Sequence, residues 1–395
     1  TMKPRPMDNL RSLLDGGSPA WIPFTLDVGA ICGLTEPILR KFRQETGADD
    51  HNAYFDTDNR LFSLASRFGG SDPSALHAHV EPGTTFDEWG IGHWAGGTEG
   101  SLDKAYPPLA RAETVREIEA HPSPVIETGS DTSAVARFHQ AGYPVFGYAG
   151  SIYEWSWWLR GMEQFMMDLL SDPEIAEALI RKVEAHTTQL ALATAQAGVD
   201  VLCFYDDAGM QSGMQIKPEL WRRFIKPAWR RVLDTVRRQH PHARFFFHCC
   251  GKIDAIVRDV IEAGFHVLHP VQPECMDFEA TYRQYGRDIA LAATIAAQRI
   301  FPFGSPDDVR REVRRPAGIA HDSRTAADVE KVACQRRVAR GLQPQARAGV
   351  VTHKVVSELK SRDRRRRHGI APVRFARMVI GASGFPEIRA DTDSK

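Results

Sequence analysis

Short apolar runs alternate with longer amphipathic stretches along most of this chain. The runs at residues 144–149 (PVFGYA), 199–206 (VDVLCFYD), 243–248 (ARFFFH), 265–273 (FHVLHPVQP) and 288–295 (DIALAATI) are short, rich in β-branched and aromatic residues, and bounded by Gly, Pro or Asp. Such runs are predicted to be strands. Between them the apolar positions recur at helical spacing over residues 160–171, 173–197, 217–239 and 252–263. Asp172 followed by Pro173 supplies a capping side chain and a first-turn proline for the second of these helices. Nearer the start, residues 21–27 (WIPFTLD) read as a first strand and 34–47 as a helix. Residues 86–94 (FDEWGIGHW) read as a short strand or hairpin, and ETVREIEAHP as a charged helix. Strands alternating with helices of ten or more residues argue for a parallel α/β fold. The count favours a (β/α)8 TIM barrel over an open sheet.

Polar groups cluster where the predicted strands end. Asp27, Asp206, Asp207, His248, Cys250, His269 and Gln272 all lie at carboxyl ends, which is where barrels of this type carry their chemistry. The stretch ARFFFHCCG at 243–251 is the most informative, because three apolar rings are followed at once by His248, Cys249 and Cys250. A strand puts residues i and i+2 on one face, so His248 and Cys250 point together and Cys249 points away. An imidazole beside a thiolate suits zinc. A packed strand end with a satisfied histidine and two inert thiols is the plainer reading of the same residues.

Composition narrows the class further. The chain has 395 residues, 43% hydrophobic and 25% charged, as expected for one large barrel or two domains. No apolar run approaches a membrane span, and the start (TMKPRPMDNL) lacks the apolar centre of a signal peptide. Six cysteines in so long a chain make no disulfide framework, so a reducing, cytoplasmic setting is expected. The net charge of zero conceals a division. Residues 316–395 carry 17 Lys plus Arg against 8 Asp plus Glu, with no Trp or Tyr, and so offer little to a core.

The chain resembles the uroporphyrinogen decarboxylase superfamily, which includes the decarboxylases and the zinc-dependent methylcobalamin:thiol methyltransferases. The resemblance rests on DEWGIGHW (87–94), YPPLA (106–110), RGMEQFMMDLLSDPE (160–174), AGVDVLCFYDDAGMQSGMQIKPELWRRFIKP (197–227), HCCGKIDAIVRDVIEAGFHVLHPVQPECMD (248–277) and YGRDIALAATIAAQRIFPFG (285–304). These stretches span most of residues 1–315. The resemblance implies a (β/α)8 barrel whose cleft holds a tetrapyrrole or the face of a corrinoid.

Within that superfamily the decarboxylases grip porphyrinogen carboxylates with an arginine-rich loop after the first strand. Here no arginine occurs between Arg11 and Arg40, which counts against a poly-carboxylate substrate. The methyltransferase branch binds zinc through an H-x-C pair and a distant Cys. His248 and Cys250 match the pair, and Cys334 or Cys275 is the expected third ligand. Asp27, Asp206 and Asp207 are expected in acid/base or orienting roles, and Trp157 as a wall for a flat macrocycle. His269 and Gln272 are expected beside the cofactor, with His269 also read as a partner behind the ligands.

After Arg315 the resemblance stops. The sequence there suggests a shifted reading frame, since GC-rich coding sequence read out of frame yields Arg, Ala, Pro and Gly. A natural basic tail is the alternative, but it has no aromatic interleaving, so nucleic acid is not the expected partner. The favoured expectation is a zinc- and corrinoid-dependent methyltransferase acting on a small thiol, with the corrinoid on a separate carrier protein. A porphyrinogen decarboxylase and a non-catalytic tetrapyrrole-binding relative are the alternatives.

Overall fold

The computed structural model describes residues 4–17, 19–26, 34, 36–95, 104–127, 131–305, 307–312 and 332–333. Among these residues the centre is a parallel sheet of seven strands, lying side by side in chain order. They are β1 (Arg60–Phe62), β2 (Val145–Gly150), β3 (Val201–Tyr205), β4 (Arg244–His248), β5 (Val267–Val271), β6 (Ala290–Ala293) and the two-residue β7 (Val332–Ala333). Helices cross between them, among them α1 (Tyr153–Arg160), α2 (Pro173–Gln196), α3 (Lys226–Gln239), α4 (Val257–Ala263) and α5 (Phe278–Tyr285). This is the mixed α/β, parallel-strand architecture of a TIM barrel, as the alternating pattern implies.

The alternation along β3 shows how the sequence builds two cores. Val201, Cys203 and Tyr205 pack with Phe246, Val267, Ala290 and Ala292 on the inner face. Leu202 and Phe204 turn outward to Phe245, Phe247 and the helices. Leu10 and Leu13, from the helix Pro6–Leu14, join the inner cluster and close its lower end. Ion pairs of Arg11 with Asp200 and of Asp15 with Arg244 tie that helix to the residues that open β3 and β4. Helix α2 starts where Asp172 accepts a hydrogen bond from the Ile175 amide, and it runs 24 residues along the outside of β2.

One expectation needs correction. Residues 21–26 are not a strand, because Pro23 lacks the amide a ladder requires. They are instead held by Asp58, which accepts from the Phe24 amide (2.7 Å) and from the Trp21 indole (3.0 Å). The sheet opens on Arg60–Phe62, too short to carry a periodic signal. Residues 85–94 do form a hairpin, Thr85–Phe86 against Gly92–Trp94, which Lys104–Tyr106 extends. Of residues 316–395 only β7 is described, paired with β6. No helix among the described residues is long and apolar enough to cross a membrane.

Candidate metal centre

Sheet register sets the site. Tyr205, His248 and His269 are directly paired across β3, β4 and β5, so their rings stand in one row at the carboxyl end. Ring centroids are 5.1 Å apart for Tyr205 and His248, and 4.9 Å for His248 and His269. Just beyond the row, the loops after β3 and β4 touch. Gly251 has φ +86°, and a Cβ on it would stand 2.6 Å from the backbone carbon of Gly209. Only glycine permits that approach.

That contact brings three donors together. Ligand atoms of Asp207, His248 and Cys250 all lie within 4.8 Å of one another. His248 Nε2 is 3.3 Å from Cys250 Sγ and 3.7 Å from Asp207 Oδ1. Asp207 Oδ1 also accepts the Cys250 amide at 2.7 Å, which fixes the carboxylate against the loop. Burial lowers the His248 pKa despite the opposing charge of Asp207, so the ring is neutral at pH 7. Cys249 points the other way, as strand alternation predicts. Its sulfur accepts the Ala208 amide (3.2 Å), and burial holds its pKa well above the ordinary thiol value.

The sequence model of the uroporphyrinogen decarboxylase (URO-D) family matches residues 105–325, more than half of the chain and all of the strands that form this site. The chain belongs to the URO-D family. A methyltransferase from Methanosarcina mazei has a similar fold, with a TM-score of 0.58 and 14% identity, covering 92% of this chain and 100% of that one. No curated protein matches.

In this URO-D chain the other predicted residues fall in different places. His269 stands behind His248, its Nδ1 2.8 Å from His248 Nδ1, and burial lowers its pKa far below the ordinary value. Gln272 accepts the Gly251 amide at 3.0 Å and so braces the Cys250 loop. Cys275 is not among the converging atoms; its thiol donates to Gln211 Oε1 at 3.4 Å, and burial raises its pKa. Trp157 is buried in the outer core, stacked on Trp158 at 4.4 Å. Asp206 is fully buried, and desolvation raises its pKa to about 6. Asp27 and Cys334 lie outside the described residues.

One residue escaped the sequence reading. Glu154, on the first turn of α1, accepts the Asp207 amide at 3.3 Å and the Trp158 indole at 3.3 Å. Desolvation, then the charge of Asp207, pushes its pKa up to about 8. Its signal was its place four residues beyond the end of β2, the same end-of-strand rule that selected the others.

Proposed function

We propose that this URO-D protein transfers a methyl group to a small thiol, with zinc held by Asp207, His248 and Cys250. The convergence of these three groups within 4.8 Å carries the reading. A neutral imidazole, a thiol and a carboxylate match the nitrogen, sulfur and oxygen donors that zinc accepts, and three protein ligands leave a position for substrate. A zinc ion bound there would lower the pKa of a coordinated thiol and supply a thiolate at neutral pH.

The chain's own groups do the rest. For His248 to present its Nε2 lone pair, Nδ1 must carry the proton and donate to His269 Nδ1, which lies in place for it. Gln272 and the close approach of Gly209 and Gly251 keep the Cys250 loop from moving away. A corrinoid on a separate carrier protein is the proposed methyl donor. Support comes from the URO-D family and from a solved structure of similar fold that is named a methyltransferase.

Metal analysis of the purified chain tests the reading. The expected result is about one equivalent of zinc, lost in Cys250→Ser and Asp207→Asn. A well-folded protein that takes up no zinc when reconstituted would overturn it.

A further inference from the structure

Asp206 is an unusual place for a carboxylate. It is fully buried, and its partners are neutral donors rather than a lysine or arginine. Removing a carboxylate from water is costly unless its oxygens are well satisfied. Here they are. Oδ1 accepts from Ser151 Oγ (2.9 Å), the Ile152 amide (3.1 Å) and the Glu154 amide (3.0 Å), while Oδ2 accepts from Trp229 Nε1 (2.7 Å). A carboxylate has about four lone-pair sites. Oδ1 takes three of these bonds and Oδ2 one, and the residue has no exposed surface, so the side chain is turned to protein donors and not to the open cleft.

What the four bonds join is informative. Ile152 is the residue before α1, and its own side chain caps nothing. Asp206, from a neighbouring strand end, satisfies the amides that a helix start leaves open. Trp229 belongs to α3, so the same carboxylate reaches a second helix. The backbone amide of Asp206 donates to the His248 carbonyl at 2.9 Å, and the next residue is Asp207. Glu154, on the helix thus anchored, accepts the Asp207 amide.

We infer that Asp206 is a positioning residue: by fastening the start of α1 and the side of α3 to the end of β3, it sets where Glu154, Asp207 and His248 stand. This rests on the reading that Asp207, His248 and Cys250 hold a metal. The chemistry of the side chain makes it testable. In Asp206→Asn the amide oxygen can serve the three donors around Ser151, but the amide NH2 then faces the Trp229 N–H, donor against donor. Adding Trp229→Phe removes that conflict without restoring the charge.

Zinc affinity, measured by competition with a chromophoric chelator, and the ligand-field spectrum of the cobalt(II)-substituted protein are the readouts. Asp206→Asn is expected to weaken zinc binding about tenfold and to alter the cobalt spectrum, as losses behind a metal site do. Asp206→Asn with Trp229→Phe is expected to recover most of both. Wild-type affinity and spectrum in the single variant, or no recovery in the double, overturns the inference. Should the single variant not fold, Ser151→Ala removes one Oδ1 donor, and an affinity equal to wild type there overturns it too. If the wild-type chain binds no metal, the proposed function fails on its own. The positioning role is then read from amide exchange at Ile152 and Glu154, expected to quicken in Asp206→Asn as the donor clash with Trp229 draws the side chain off those amides, and to slow again in the double variant; unchanged exchange overturns it.

Discussion

The Nδ1 atoms of His248 and His269 stand 2.8 Å apart on adjacent strands, so one ring donates and the other accepts. If His248 offers Nε2 to a metal, it is the donor. His269→Ala should therefore leave the fold intact and weaken zinc binding about tenfold, because His248 loses the partner that fixes its tautomer and tilt. Equilibrium dialysis against zinc checks this. An unchanged affinity would mean that the strand alone orients His248.

Much of this site could be read in the chain, and the physical reason is periodicity. His248 and Cys250 were placed on one face, and Cys249 on the other, by strand alternation alone. The polar residues at strand ends, Asp207 and Gln272 among them, followed from the parallel α/β pattern. What could not be read was contact between loops. Asp207 joins His248 and Cys250 because Gly209 and Gly251 let two backbones meet, and no spacing rule reports that. For the same reason Cys275 was expected among the ligands, whereas its thiol is engaged with Gln211. The three-residue strand Arg60–Phe62 was missed because it is too short to show a period.

Arg160, at the end of α1, and Asp168 form a buried pair, at 2.7 Å with side-chain exposures of 5% and 3%. Arg160 Nη1 also donates to the carbonyls of Leu109 and Ala112, both at 2.7 Å. Removing one partner strands a charge in the core. Arg160→Met should thus destabilise the protein by about 3–5 kcal/mol, whereas replacing both residues by apolar ones should cost less. Urea unfolding of the two variants decides it. Equal losses would mean that the carbonyl bonds, not the ion pair, dominate.

Acid should unfold this protein earlier than its carboxylates require. Burial lowers the pKa of His121, His186 and His266 to about 4 in the folded chain, against about 6.5 when unfolded. The unfolded state then takes up protons first. Stability is complete above pH 6.5 and falls as the pH drops toward 4, by about 1.4 kcal/mol per pH unit for each histidine. His186 tests this, since both its ring nitrogens are buried without a hydrogen-bond partner between Trp89 and Trp155. His186→Phe should keep neutral-pH stability and flatten the acid slope. A slope unchanged between pH 6.5 and 4 sinks the assignment.

Thiol methylation and porphyrinogen decarboxylation make opposite demands on the mouth of the barrel. A porphyrinogen brings several carboxylates, and residues 12–39, the stretch where the resemblance leads one to expect arginines, contain neither arginine nor lysine. Methyl transfer to a thiol needs a Lewis acid instead, and the donor set at Asp207, His248 and Cys250 fits one. With methylcobalamin and a small thiol, the chain should form the methyl thioether, and His248→Ala and Asp207→Asn should lose both zinc and activity. Cys275→Ser should keep both, because its sulfur is not in the converging set. Cys334→Ser extends the comparison to the other thiol the sequence nominates. Carbon dioxide released from a porphyrinogen by the His248→Ala variant at the wild-type rate would reverse the assignment, since it requires no metal at this centre.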